Sequence, residues 1–296
     1  MLHPESLFIN GPVRLTKTQS RVVDYMLAHP DEVIFMTASD LGGALGVSDA
    51  TVVRVSQALG FAGFSEVKRH LQGELSQRRD TVSRLEKAAS EIDSLEDVIA
   101  AVLRNDLENL RATAETTSYQ TLAQVARVIS RAPEVSIIGL RSAHSLAHFL
   151  ASALRFLGRK VRMLAPGIGY LWADLRDMGP GSVLVAFSFP RYTKLTIEVV
   201  REAHQSGATV ISFTDGALSP LATCSHYVIP ASFRMDSFME SYVAALSLLN
   251  ALVTAIAYGE KRSSLKHLGE LERLWREKGV YFDEELRPAG DNGREK

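Results

Sequence analysis

Five short runs rich in apolar and β-branched residues follow Pro133: VSIIGL (Val135 to Leu140), KVRML (Lys160 to Leu164), SVLVAFSF (Ser182 to Phe189), ATVISFT (Ala208 to Thr214) and HYVIP (His226 to Pro230). Helix-length segments separate most of them. A strand, a helix and a further strand require a crossover, so the alternation predicts a parallel sheet covered on both faces. Upstream the periods are helical only. LTKTQSRVVDYML opens with Thr16 and has Gln19 three residues on, a capping-box spacing, and Pro30 closes the element. From Gln77 to Arg131 there is neither glycine nor proline, and the segment reads as linker helix. Leu95, Val98, Ile99, Val102 and Leu103 are expected to form a buried stripe, and Thr121 to Ala132 a further amphipathic helix.

The stretch DLGGALGVSDATVVRVSQALGFAGF (Asp40 to Phe64) keeps an apolar period but is split at Gly46. Thr37, with Asp40 at its N3 position, starts a helix that runs to Leu45. Gly46 can adopt the left-handed conformation that ends it, and Ser48 caps a second helix with Asp49 at its positive end. Leu41, Leu45, Val47, Val52, Val55 and Leu59 face inward if the two helices cross steeply, with the small Gly42 where they approach. That is the helix-turn-helix layout, whose second helix enters a major groove. Its outward residues are Asp49, Ala50, Val53, Arg54 and Gln57, with Ser48 and Thr51 near its start. Arg and Gln suit bidentate contacts to base edges, Asp accepts from cytosine, and Val meets a thymine methyl. Lys68 and Arg69 suit phosphates. A helical hairpin with a solvated face is the alternative, and charge does not decide, because residues 1–79 hold eight basic and eight acidic residues.

LTKTQSRVVDYMLAHPDEV followed by MTASDLGGALGVSDATVVRVSQALGFAGFSEVK resembles the amino-terminal domain of the RpiR-type (MurR/RpiR) bacterial transcription regulators, from Leu15 to about Leu71. The resemblance implies that the second half is a sugar-isomerase (SIS) domain, a flavodoxin-like αβα sandwich that senses phosphorylated sugars. The expected organisation is an all-α helix-turn-helix domain over 1–79, a helical linker and the start of the sensing domain over 80–131, an α/β three-layer parallel-sheet domain over 132–260, and a helix with a disordered tail over 261–296.

SIS domains hold phosphate at a glycine- and serine-containing turn after the first strand and a serine/threonine-rich loop after the third. Backbone amides converge on an anion at such helix starts. Here Gly139 and Ser142 fit the first turn, but its second glycine is Arg141 and a usual serine is Ala143. In the second loop Ser188 and Thr193 match, whereas Pro190 replaces a serine and Arg191 a glycine. Arg141 and Arg191 either hold an anion by their guanidinium forks, or fill a degenerate pocket and pair with Asp174, Asp177 or Asp215. His144 and His148, four apart, have metal-binding spacing but no flanking carboxylate, and read as a helix-surface pair. Tyr170 and Trp172 suit core or dimer packing.

The resulting expectation is a DNA-binding regulator of double-stranded operator DNA whose SIS domain senses a small anionic effector, a phosphosugar or a carboxylate. It is a homodimer or homotetramer, with no cofactor and no metal. The alternative from another class is a sugar-phosphate isomerase with a helical extension; no carboxylate–histidine pair matches that role. A third is a DNA binder with an inactive SIS domain. The net charge of −1 gives no global pull toward nucleic acid or membrane. The single cysteine, Cys224, excludes an internal disulfide and fits a reducing compartment. The stretch VAALSLLNALVTAIAYG (Val243 to Gly259) reads as a buried helix, and MLHPESLFIN lacks the features of a secretory signal. The expected location is the cytoplasm.

Overall fold

The computed structural model of the chain describes residues 15–78, 81–91, 94–167, 169–217, 219–233 and 238–282. The tail RPAGDNGREK and the opening MLHPESLFIN lie outside them. The amino-terminal unit consists of α1 (Lys17–Ala28), α2 (Pro30–Val33), α3 (Ala38–Leu45), α4 (Asp49–Ala58) and α5 (Phe64–Arg78). The start signals act as the sequence reads. Thr16 with Gln19 and Thr37 with Asp40 form complete capping boxes, and the Ser48 hydroxyl accepts from the Thr51 amide. Gly46 takes φ +65° and ends α3, while the Arg21 guanidinium donates to the Leu45 carbonyl at 3.1 Å. One core gathers Val22, Val23, Met26 and Leu27 of α1, Val33, Leu41, Val52, Val55, Leu59, Val67 and Leu71. Leu45 and Val47 are only partly buried at its edge.

Gly42 carries the helix crossing. A Cβ there would sit 2.6 Å from the Val47 carbonyl oxygen, because the turn folds directly over it.

Three helices follow: α6 (Thr81–Glu91), α7 (Leu95–Thr116) and α8 (Tyr119–Arg131). They correct the expected buried stripe. Leu95, Ile99 and Leu103 are exposed, as is Leu107, and Val98 and Val102 are only half-buried. The reason is that α7 docks through polar residues. Its buried Thr113 hydroxyl accepts from the Ser232 amide at 2.7 Å, and its buried Asn109 accepts from the Ser232 hydroxyl at 3.1 Å. Satisfying those groups turns the apolar stripe outward.

The remainder alternates as expected: β1 (Val135–Gly139), α9 (His144–Phe156), β2 (Val161–Met163), α10 (Tyr170–Arg176), β3 (Val183–Phe187), α11 (Lys194–Gln205), β4 (Thr209–Thr214), β5 (Tyr227–Pro230), α12 (Val243–Gly259) and α13 (Lys261–Glu277). All five strands are parallel, in the order β2-β1-β3-β4-β5. One face of the sheet buries Ile137, Val185, Phe187, Ile211 and Phe213 under α8, α9 and α12. The other buries Ile138, Leu184, Ala186 and Val210 under α10 and α11. The period-2 split of each strand assigns these residues to opposite faces. α12 places Ala244, Ala245, Leu248, Leu249, Leu252 and Ile256 in the core but leaves Val243, Leu246 and Tyr258 exposed. Tyr170 and Trp172 are exposed as well. Among the described residues no single helix is long and apolar enough to cross a membrane; α12 and α13 meet at a 106° bend.

The crossing of α3 and α4 yields a paired test. Gly42→Ala should destabilise the protein by about 1–3 kcal/mol through overpacking. Gly43→Ala, whose methyl meets nothing within 4 Å, should be neutral or stabilise, by up to ~1 kcal/mol from helix propensity. Urea denaturation of the two variants measures the contrast.

Candidate nucleic-acid interface and effector site

On α4 the inward side is spent on the core, and Asp49, Ala50, Arg54 and Gln57 are exposed while Thr51 and Val53 are half-buried. Ser48 and Thr51 are engaged in starting the helix: their hydroxyls lie 2.9 Å apart, and Asp49 accepts from the Ala50 amide at 2.7 Å. Arg54 lies back along the helix, its Nε donating to the Ala50 carbonyl at 3.3 Å, a weak bond that a better acceptor can replace. Arg69 is exposed; Lys68 is half-buried with its ammonium 6.0 Å from the Phe64 ring centre.

In the parallel-sheet domain, β1 and β3 are neighbours in register, with Gly139 beside Phe187. The chain leaves β1 toward β2 and leaves β3 toward β4, and α9 and α11 cover opposite faces. This is the switch point of an open parallel sheet, where the loops diverge and leave a crevice at the carboxyl ends. Arg141 and Arg191 stand in those two loops. Their φ angles are 55° and 67°, and among the described residues they are the non-glycine residues with positive φ. Each holds a side chain on a backbone suited to glycine, at a cost of about 1–2 kcal/mol.

Around them the structure gathers residues that no local motif joins. The Ser142 hydroxyl lies 3.0 Å from the Tyr242 hydroxyl, a hundred positions away. Tyr242 packs against Phe189 and Phe233. Burial pushes its phenol up to about 12, with the Ser142 hydrogen bond opposing, Glu240 adding and Arg141 opposing, so the O–H stays protonated at physiological pH. Tyr192 donates to the Asp215 carboxylate at 2.7 Å, and the Thr214 hydroxyl does so at 2.9 Å. Burial raises the Asp215 carboxyl above its ordinary value while those two hydrogen bonds oppose. Tyr192 and Tyr242 were not expected in the site, and Asp215 was considered only as a partner of the arginines, because their contacts depend on strand order and on the loop before α12.

The remaining expected residues differ in their roles. Gly139 is a packing glycine: a Cβ there would come 2.5 Å from the Ala143 carbonyl oxygen. Ser188 is buried behind the β3 loop. Thr193 is the N-cap of α11, and no side chain caps that helix start, so its first amides have no side-chain partner there. Neither arginine takes the aspartates considered as its partners. Asp174 pairs with Arg162 at 3.0 Å, Asp177 with Arg176 at 3.6 Å, and Asp215 is held by Tyr192 and Thr214. Arg191 instead donates to the Thr81 hydroxyl of α6 at 2.7 Å. His144 bonds the Gly139 carbonyl, and its ring centre lies 6.3 Å from that of His148. Among the described residues no three His, Cys, Asp or Glu side chains group to hold a metal.

A capped helix-turn-helix unit followed by a five-stranded parallel-sheet domain is the architecture of a two-domain transcription regulator with a sensing domain. The chain is an RpiR-type regulator: residues 10–78 match the helix-turn-helix domain of the rpiR family and residues 128–255 match the SIS domain. Among solved structures it resembles the sugar isomerase domain of the RpiR transcription factor from Sphaerobacter thermophilus, at 28% identity and TM-score 0.57, covering 59% of this chain and 97% of that one. The NanR protein of Vibrio vulnificus, solved with ManNAc-6P, shares the fold over 91% of this chain and 96% of its own, at 23% identity and TM-score 0.57. A protein of Escherichia coli CFT073 is similar in fold over 61% of this chain and 100% of its own, at 18% identity and TM-score 0.50.

The strained loop is open to measurement. Arg141→Gly removes the left-handed penalty but adds unfolded-chain entropy, so the net gain in unfolding free energy should be ~0.5–1 kcal/mol. Chemical denaturation that finds Arg141→Gly less stable than wild type would show that the side chain, not the backbone, dominates there.

Proposed function

We propose that residues 1–79 bind double-stranded operator DNA with α4 in the major groove, and that residues 132–260 take a small anionic effector that alters that binding. Arg54 and Gln57 read base edges, with Asp49 and Val53 beside them. Ser48, Thr51, Lys68 and Arg69 serve the backbone phosphates. The effector is a phosphosugar or a carboxylate, held by Arg141, Ser142 and Arg191 with the uncapped start of α11 at Thr193; Gly139 and Ser188 shape the two loops from behind. The observation that supports this most is the pair of left-handed arginines at the switch point. Strain at two facing loops persists where function needs it. The ManNAc-6P found with NanR is a ligand of the same chemical class.

The crevice suits binding rather than isomerisation. Asp215, half-buried and bonded to Tyr192 of the β3 loop, is already engaged by two hydroxyls on its Oδ1. Operator binding implies residence with the bacterial DNA in the cytoplasm. The exposed stripe Leu95, Ile99, Leu103 and Leu107 on α7, together with the outer residues Val243, Leu246 and Tyr258 of α12, supports a homodimer or homotetramer. Apolar faces of this kind are commonly covered by a partner, and two-fold proteins match palindromic operators.

Arg54→Ala should lose about 1–3 kcal/mol at the cognate operator and relax specificity at one position. Equal weakening on cognate and random duplexes would reduce Arg54 to a phosphate contact. Titration calorimetry with ManNAc-6P and with inorganic phosphate tests the other half. Arg141→Ala and Arg191→Ala should each weaken anion binding by about ten- to a hundredfold, the factor for ~1.5–3 kcal/mol of charge-assisted hydrogen bonding.

The assembly has its own measurement. Light scattering should find at least a dimer without DNA, and Ile99→Asp with Leu103→Asp should shift it toward monomer; a wild-type monomer at micromolar concentration would overturn the half-site argument.

A further inference from the structure

Helix α6 lies between the two domains in sequence, and its described side chains are seated with their sides reversed. Arg84, three residues after Thr81 and on the same face, is only 6% exposed. Val82 and Leu85, on another face, are 64% and 53% exposed. A helix docked by the hydrophobic effect buries its apolar side. This one turns its polar side inward and is tied by the hydrogen bond from Arg191 Nη1 to the Thr81 hydroxyl. The donor of that bond is the guanidinium of Arg191, from the loop after β3 assigned above to the anion.

We propose that α6 is a releasable strap: Thr81 occupies Arg191 in the effector-free protein, and an anion that takes the Arg191 fork displaces Thr81 and frees the helix. The inference rests on the anion reading given above. The exchange has a direction. A phosphate or carboxylate is a stronger acceptor for a guanidinium than a neutral hydroxyl, because both partners are then charged and the contact is bidentate. Val82 and Leu85 add little apolar burial to the docking of α6, so polar contacts such as the Arg191–Thr81 bond matter to it. Freed, Val82 and Leu85 can move out of water. The strap follows α5 and the DNA-binding helices in the chain, so its release changes the attachment of that domain without any movement of the sheet. Effector identity is thereby read through a competition at one side chain, and ligands that fill the crevice without engaging Arg191 bind but do not signal.

Hydrogen exchange on the full-length protein tests the strap, with wild type, Thr81→Val and Thr81→Ser measured with and without inorganic phosphate. Val is close to Thr in shape but has no acceptor; Ser retains it. The α6 amides should exchange roughly tenfold faster in Thr81→Val than in wild type or Thr81→Ser, as expected for loss of ~1.4 kcal/mol. Saturating phosphate should speed α6 in wild type by a similar factor and add little in Thr81→Val, since two routes to one released state are not additive. Phosphate should also bind Thr81→Val several-fold more tightly, because its competitor is gone. Equal α6 exchange in the Val and Ser variants overturns the tether. Slower α6 exchange with phosphate, or weaker phosphate binding by Thr81→Val, overturns the competition and makes Thr81 a ligand contact. If phosphate fails to protect the β3 loop in wild type, the anion reading and the release fall together. The Thr81→Val arm still decides the tether by itself.

Discussion

The in-register pairing of β1 with β3 is the constraint on which the rest of the sensing domain depends. These strands are adjacent in the sheet but not in the sequence, and the chain departs from them in opposite directions. That divergence opens the crevice, sets α9 and α11 on opposite faces, and brings the Arg141 and Arg191 loops to the same edge. Gly139 holds the arrangement tight at one end, with no room for a side chain between β1 and the turn before α9. That edge carries the Arg141 and Arg191 loops, and Tyr242 reaches Ser142 there from the loop before α12.

The two arginines give the crevice a chemistry different from one lined by glycine. A glycine in a left-handed turn lets a phosphate approach the backbone amides. An arginine on the same backbone keeps the turn, at the expense of strain, and extends a guanidinium fork from it. Arg191, half-buried, donates to Thr81 of α6, the helix that follows the helix-turn-helix unit in the chain.

The surfaces left exposed are consistent with that division of labour. The outward stripe of α7 is apolar and the outer side of α12 exposes Val243, Leu246 and Tyr258, whereas the outward side of α4 is polar and carries Arg54 and Gln57. The first pair suits a protein partner and the second suits a groove with hydrogen-bonding edges. Both lie outside the packed cores, so they can be used without unfolding either domain.

Local chemistry was legible in the sequence. The capping boxes at Thr16 and Thr37, the cap at Ser48, the left-handed Gly46 and the five strands depend on residues a few positions apart, and the structure has each of them where the spacing indicated. The same locality placed Asp49, Ala50, Arg54 and Gln57 on the outward side of α4, and the resemblance to the SIS family marked Arg141 and Arg191 as standing at glycine positions. The burial of the α7 stripe did not follow from its period. Periodicity says that a helix has an apolar side, and only the bonds from Ser232 to Asn109 and Thr113 decide which side faces the core. The hydrogen bonds of Tyr242, Asp215 and Thr81 were not legible for the same reason. Their contacts span from 23 to 110 residues in the chain, and such pairings are set by strand order and docking, which local sequence does not encode.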